Sequence, residues 1–102
     1  MTHLENRAIE KSTFVVTVAL NFTPNTMTWD LTDEAGTVIN SRSGVSVVSP
    51  STSNDITLTG DDLAIPVKDN TLRILTVEGT YNGGTNTFRD EMTFYVQEAV
   101  NV

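Results

Sequence analysis

The sequence TMTWDLTDEAGTVI, residues 26–39, decides the fold because it joins the single tryptophan of the chain to strict alternation of apolar and polar residues. Met27, Trp29 and Leu31 share one face of the predicted strand, as the two-residue period of a half-buried strand requires. Asp33 and Gly36 then suit a type I turn, in which the aspartate carboxylate accepts a backbone N–H. The stretch therefore predicts a β-hairpin that leads straight into another strand.

The same alternation recurs before and after this hairpin. Residues 13–22 alternate without a break, which predicts a strand in the middle of a sheet. Residues 71–81 and 88–96 predict two long strands, and the adjacent glycines of residues 82–86 supply the positive φ angles of a hairpin loop. Residues 60–63 predict one capped helical turn. We therefore predict an all-β protein, a β-sandwich of about seven strands.

The order of these features, with a strand before the tryptophan strand and a final hairpin, favours an immunoglobulin-like version of the sandwich. The inward faces of the predicted strands supply its core. The predicted core residues are Trp29, Phe14, Leu31, Leu75, Val77 and Phe94.

Residues 1–12 form a polar, charge-mixed arm ahead of the sandwich domain, residues 13–102. Two alternatives remain open for the arm: a first edge strand, or a tail that becomes ordered only on a partner. Because a weakly specified edge strand is where a neighbouring chain can pair, Leu4, Arg7 and Ile9 are predicted partner contacts.

Composition limits the partners and the compartment. The 102 residues suffice for one domain, and the absence of cysteine favours a protein that folds in the cytoplasm. The formal net charge of −7 argues against binding to nucleic acid, because phosphates are neutralised by lysine and arginine. No apolar run suggests a secretory signal or a membrane span, so we expect no membrane association.

Catalytic and metal-binding patterns are weak. The single histidine, His3, lies in the arm, and the chain has no cysteine nucleophile. The adjacent carboxylates Asp61 and Asp62 are predicted to cap a turn, as Asp33 is. No loop has the spaced aspartates of a calcium site. We therefore expect no catalytic residues, no metal, no cofactor and no enzymatic activity.

Three segments, in this order and spacing, resemble small immunoglobulin-like structural proteins of tailed bacteriophages: TMTWDLTDEAGTVINSRSGV (26–45), ITLTGDDLAI (56–65) and LRILTVEGTYNGG (72–84). The similarity covers about residues 13–97 and leaves the arm outside. It implies a virion component assembled in the host cytoplasm, such as a capsid decoration or cement protein or a head-tail (neck or tail) accessory. It carries no catalytic residues.

Two functional hypotheses follow, with an enzyme or metal-dependent domain as a distant third. In the first, the chain is a non-enzymatic structural protein that binds capsid, neck or tail proteins in symmetric copies, as a homo-oligomer on the particle. In the second, it is a module that recognises host-surface glycans or proteins through Tyr81, Asn82 and Asn86, at the last predicted hairpin.

Overall fold

The fold is all-β in the residues that the computed structural model describes, which are 2–4, 7–65 and 71–98. A 3-10 turn, η1, spans Gly60–Leu63. The strands are β1 (Thr2–His3), β2 (Ala8–Ile9), β3 (Thr13–Ala19), β4 (Pro24–Asp33), β5 (Val45–Ser46), β6 (Ser53–Thr59), β7 (Leu72–Tyr81) and β8 (Asn86–Gln97).

The strands form a large sheet and a small one. The large sheet has the order β1-β8-β7-β4-β5, and β2 also pairs with β8. The short strands β1 and β2 run parallel to β8, whereas the other pairs are antiparallel. Strands β3 and β6 form the small sheet. Apolar residues of both sheets belong to one buried cluster, because Val16 and Leu58 of the small sheet pack with Leu31 and Val77 of the large one.

The tryptophan strand β4 has the predicted alternation. Met27, Trp29 and Leu31 are buried, and Trp29 lies opposite Val77 of β7. The predicted aspartate turn is confirmed, because Asp33 Oδ1 accepts the N–H groups of Ala35 and Thr37, each at 2.9 Å.

The prediction that this turn leads straight into another strand is wrong. Only one isolated bridge, between Thr32 and Val38, follows the turn. Asn40 and Ser41 then adopt positive φ angles of 53° and 56°, which turn the chain out of the ladder. The return strand β5 is therefore only two residues long.

The prediction that residues 13–22 cross the middle of a sheet is also wrong. Within the described residues, β3 pairs with β6 alone. The physical reason is the path of the arm, because β1 and β2 pair with β8 of the other sheet, so no strand of the described residues lies on the second side of β3.

The described part of the arm belongs to the large sheet. Leu4 N–H donates to Thr93 O at 2.7 Å, and Glu10 N–H donates to Gln97 O at 2.9 Å. Ala8 is 1% exposed and packs in the core. These residues therefore correspond to the edge-strand alternative rather than to a separate tail.

The six residues named for the core lie between the sheets. Phe14 is half-buried, and its ring centroid is 5.0 Å from that of Phe94. The other five are buried: Trp29, Leu31, Leu75, Val77 and Phe94.

Strand β7 lies tightly against β4 at Gly79, beside a register shift between Pro24 and Thr26. A Cβ atom on Gly79 would lie 2.8 Å from the Thr26 carbonyl carbon and 3.0 Å from Met27 Cα, with the Thr26 oxygen closer still. All three are backbone atoms, so only a residue without a side chain fits between the strands.

Candidate functional site

The buried Asp62 carboxylate accepts three hydrogen bonds from two segments of the chain. It is 1% exposed and lies in η1, between the small sheet and the segment that follows β4. Its Oδ1 accepts Arg42 Nε at 2.7 Å and Asn40 Nδ2 at 2.8 Å, and its Oδ2 accepts Thr59 N–H at 3.1 Å. The prediction that this carboxylate caps a turn is confirmed, and it also ties two distant segments together.

The protonation of Asp62 follows from these contacts. Burial alone raises the pKa of a carboxyl group, but the hydrogen bonds from Arg42, Asn40 and Thr59 outweigh it, so the pKa of Asp62 is lowered. The carboxylate is therefore ionised and occupied by donors, which is the state of a structural residue rather than of a general acid.

A buried cation, Arg73, lies at the start of β7. It is 0% exposed and donates from Nη1 to Leu72 O at 2.9 Å and from Nη2 to Ala64 O at 3.1 Å. Burial lowers the pKa of Arg73, and the negative charge of Asp33, opposite it on β4, counters part of that effect. Its hydrogen bonds hold residues 64 and 72 together at the end of the core.

No three His, Cys, Asp or Glu side chains come together as a possible metal site in the described residues 2–4, 7–65 and 71–98. In the same residues, no helix has the length and apolar character needed to cross a bilayer.

The predicted partner residues of the arm lie along the second half of β8. Leu4 is half-buried against the core, whereas Arg7 and Ile9 are exposed. The Arg7 guanidinium carbon is 5.4 Å from the centroid of the Tyr95 ring, and His3 meets the same ring edge-on at 5.6 Å. We call the exposed set His3, Arg7, Ile9 and Tyr95 the arm patch.

The arm patch combines a cation, two polar aromatic rings and an exposed aliphatic side chain. Ile9 is 43% exposed and Tyr95 is 38% exposed. Such amphipathic groups are enriched in protein interfaces, because they bury apolar area and still offer hydrogen bonds. The patch therefore has the chemistry of a protein contact.

The predicted residues of the last hairpin lie around an aromatic cluster at the opposite end of β8. Tyr81 stacks on Phe22 with centroids 4.0 Å apart, and Phe88 meets Phe22 edge-on at 5.2 Å. Asn82, with φ 55°, and the exposed Asn86 flank the hairpin loop. We call Phe22, Tyr81 and Phe88 the hairpin cluster.

The fold does not bring the two predicted sets together. The arm pairs with residues 92–97 of β8, whereas the hairpin begins at Asn86. A strand rises roughly 3.3 Å per residue, so the two ends of β8 are about 35 Å apart. They are separate surfaces.

No family model, curated protein or solved structure matches this chain.

Sequence reasoning missed the buried Arg73 and the partners of Asp62. A signal for Arg73 was present in the sequence. Alternate residues of a strand share one face, so Arg73 lies on the same inward face of β7 as Leu75 and Val77. No comparable local signal exists for Asn40 and Arg42, since their contact with Asp62 joins residues about twenty positions apart in the chain.

Proposed function

We propose that this chain is an immunoglobulin-like sandwich that serves as a non-enzymatic structural protein of a phage virion. It attaches in symmetric copies to the capsid, as a decoration or cement protein, or to the head-tail region. It is assembled in the host cytoplasm. The observation that carries the proposal is the set of three quoted segments, whose residues meet one another in the folded chain.

The contacts between these segments support a common framework. Asp62 of the second segment binds Asn40 and Arg42 of the first. Gly79 of the third segment lies against the backbone of Thr26 and Met27 in the first. These contacts join the three segments in the folded chain, as the mutually supportive contacts of a natural fold do.

The strand arrangement supports the immunoglobulin-like part of the proposal. Strands β3 and β6 face the antiparallel set β4-β7-β8, and the first strands run parallel to the last one. An immunoglobulin sandwich divides its strands in this way, with the second and fifth strands in one sheet and the third, sixth and seventh in the other. Fold by itself does not give function, so the attachment surface must be tested separately.

The attachment surface of this proposal is the arm patch. Deleting the arm is a poor test, because deletion also removes Ala8 from the core. The point substitution Ile9→Glu changes an exposed side chain instead. Val38→Glu is its matched control, since Ile9 is 43% exposed and Val38 is 42% exposed.

Each variant is supplied in trans during infection by a phage whose own gene is disrupted, and the protein is quantified on purified particles. We expect wild-type protein and Val38→Glu to be incorporated, and Ile9→Glu to be reduced at least about tenfold, as for the loss of a central interface contact. Equal incorporation of the two variants would remove the arm patch from the proposal.

The second candidate function is recognition of a host-surface glycan or protein near the hairpin cluster. A shallow depression of about 490 Å³ beside it favours this function, because its lining includes threonines and one residue of each charge sign. The lining residues are Thr28, Glu78, Gly79, Thr80, Thr87, Phe88 and Arg89. One observation argues against glycan binding by Tyr81: Phe22 already stacks on one face of its ring, so that face is not available to a sugar.

Titration with host-surface oligosaccharides, followed by amide NMR shifts, tests this second function. Shifts confined to Thr80, Thr87 and Arg89 would support it. An unchanged spectrum at about 10 mM ligand, beyond the range of even weak specific affinities, would exclude glycan binding at this depression.

A further inference from the structure

Most strand edges of the described residues are covered or charged. The outer side of β8 carries β1 and β2 over residues 92–97, and its remaining part contains Arg89, Asp90 and Glu91. The outer side of β4 is covered by the returning chain, since Val47 N–H donates to Met27 O at 2.9 Å. Such coverage and charge prevent a sheet edge from pairing with another chain.

At both ends of β6, side chains of the same chain bind the backbone groups of its outer edge. Thr59 N–H donates to Asp62 Oδ2 at 3.1 Å. At the other end, Ser51 Oγ donates to Ser53 O at 2.7 Å and accepts Ser53 N–H at 3.3 Å. The exposed Asp55 carboxylate lies midway along the strand, where its Oδ1 accepts Thr17 Oγ1 of β3 at 2.7 Å.

Among the described residues, no strand covers the β3 edge, and β3 itself contains no charged residue. In the register with β6, Leu20 N–H donates to Thr52 O at 2.7 Å and Gly60 N–H donates to Ser12 O at 3.2 Å. In an antiparallel ladder hydrogen-bonded pairs alternate, so the even-numbered residues of β3 bond to β6. The N–H and C=O groups of the odd-numbered residues point away from β6. Those residues are Thr13, Val15, Thr17 and Ala19.

The composition of β3 suits pairing with a copy of itself. Its seven residues, TFVVTVA, include no charge, no proline and no glycine. In a chain of net charge −7, such an uncharged strand keeps carboxylates out of the two paired strands themselves. Val15 is 49% exposed and adds apolar area beside the edge.

We propose that β3 is a self-association edge, at which a second copy of this chain adds its own β3 in antiparallel orientation. With Val16 opposite Val16 of the second copy, Thr13 lies opposite Ala19 and Val15 opposite Thr17. This register pairs all the outward-pointing backbone groups and keeps Phe14, Val16 and Val18 on the inward side of a four-stranded sheet. The interface is isologous and closes as a two-fold dimer.

One strand edge is smaller than the roughly 800 Å² per partner of a stable interface, so the dimer is expected to be weak in free solution. Copies fixed on a surface at high effective concentration would pair more completely. The pairing goes beyond the proposed function and is independent of it, since purified protein tests it without any particle.

Hydrogen exchange measures the pairing directly. The amides of Phe14, Val16 and Val18 are protected by β6 at every concentration, because their bonds are intramolecular. The amides of Val15 and Thr17 are expected to exchange rapidly in dilute protein and at least several-fold more slowly near 1 mM, a concentration that reaches the affinities of weak complexes.

Proline substitution supplies a matched pair of variants. Val15 and Thr57 lie directly opposite each other in the β3–β6 ladder, and both N–H groups point away from it. Proline at either site therefore keeps the intramolecular bonds and removes one outward donor. In sedimentation velocity, wild type and Thr57→Pro should rise from 11.1 kDa towards a dimer with concentration, and Val15→Pro should stay at 11.1 kDa.

A second pair covers the case in which Val15→Pro does not fold. Val15→Glu places like charges near the two-fold axis, whereas Val48→Glu adds the same charge at a side chain that is 88% exposed. Loss of association in Val15→Glu and its retention in Val48→Glu support the pairing. A monomeric wild type near 1 mM with unprotected Val15 and Thr17 amides, or association that survives changes at Val15, would overturn it.

Discussion

The substitution Gly79→Ala tests how closely the two central strands are packed. The added methyl would lie 2.8 Å from the Thr26 carbonyl carbon and 3.0 Å from Met27 Cα. Both are backbone atoms of a strand that is paired on both sides, so no side-chain rotation relieves the clash. Strands β4 and β7 must separate locally.

Three effects contribute to the change in the free energy of unfolding of Gly79→Ala. Overpacking of a tight site costs about 1–3 kcal/mol. Separation of the strands weakens one or two ladder hydrogen bonds, at about 1 kcal/mol each. Alanine also lowers the conformational entropy of the unfolded chain, which stabilises the folded state by roughly 0.4–1 kcal/mol. We therefore expect Gly79→Ala to lower the free energy of unfolding by about 1–5 kcal/mol, with a central value of about 3 kcal/mol.

The assay is urea denaturation followed by the fluorescence of Trp29, which is buried in the native state. Gly83→Ala is the control, because Gly83 has a φ of 68° but no atom within 4 Å of the added Cβ. This control should cost about 1–2 kcal/mol through backbone strain alone. A Gly79→Ala protein within about 0.5 kcal/mol of wild type, the range of an ordinary surface change, would refute the close approach.

Two further substitutions test the polar and aromatic contacts. Asp62→Asn should cost about 2–3 kcal/mol at pH 7, because it removes the charge that accepts Arg42 Nε. The pKa of Asp62 is lowered by folding, so its contribution is complete above the unfolded value of about 3.9 and is lost as pH falls through the lower folded value. Urea denaturation across this pH range should show the difference from wild type shrinking on acidification, and a constant difference would contradict the assignment. Phe22→Ala removes the ring that stacks on Tyr81 and should cost about 1–2 kcal/mol by thermal denaturation, whereas an unchanged melting temperature would show that the hairpin cluster carries no stability.

The elements that local pattern determines were predictable from the sequence. Alternation in residues 26–33 predicts β4, and the aspartate side chains of its turn and of η1 act as the sequence indicates. These features depend on side-chain period and on hydrogen bonds within a few residues, so a single sequence contains the required information.

The features that were not predictable depend on distant residues. The alternation of β3 indicates a strand, yet the choice between a central and an edge position depends on where β1 and β2 pair. Likewise, Asn40 and Ser41 leave the ladder at positive φ angles, and Asn40 finds its partner in η1. The arm could be predicted as a weakly specified edge strand and the last hairpin as a loop of asparagine and glycine beside Tyr81, but their separation along β8 follows only from the register.

The measurement that tests the central claim most directly is quantitative mass spectrometry of purified phage particles from the source of this sequence. The proposal predicts that the chain is present at a fixed ratio to the major capsid protein, near-equimolar for a capsid decoration protein and much lower for a ring in the head-tail region. Particles that lack the chain, in a lysate where it is expressed, would contradict the virion role.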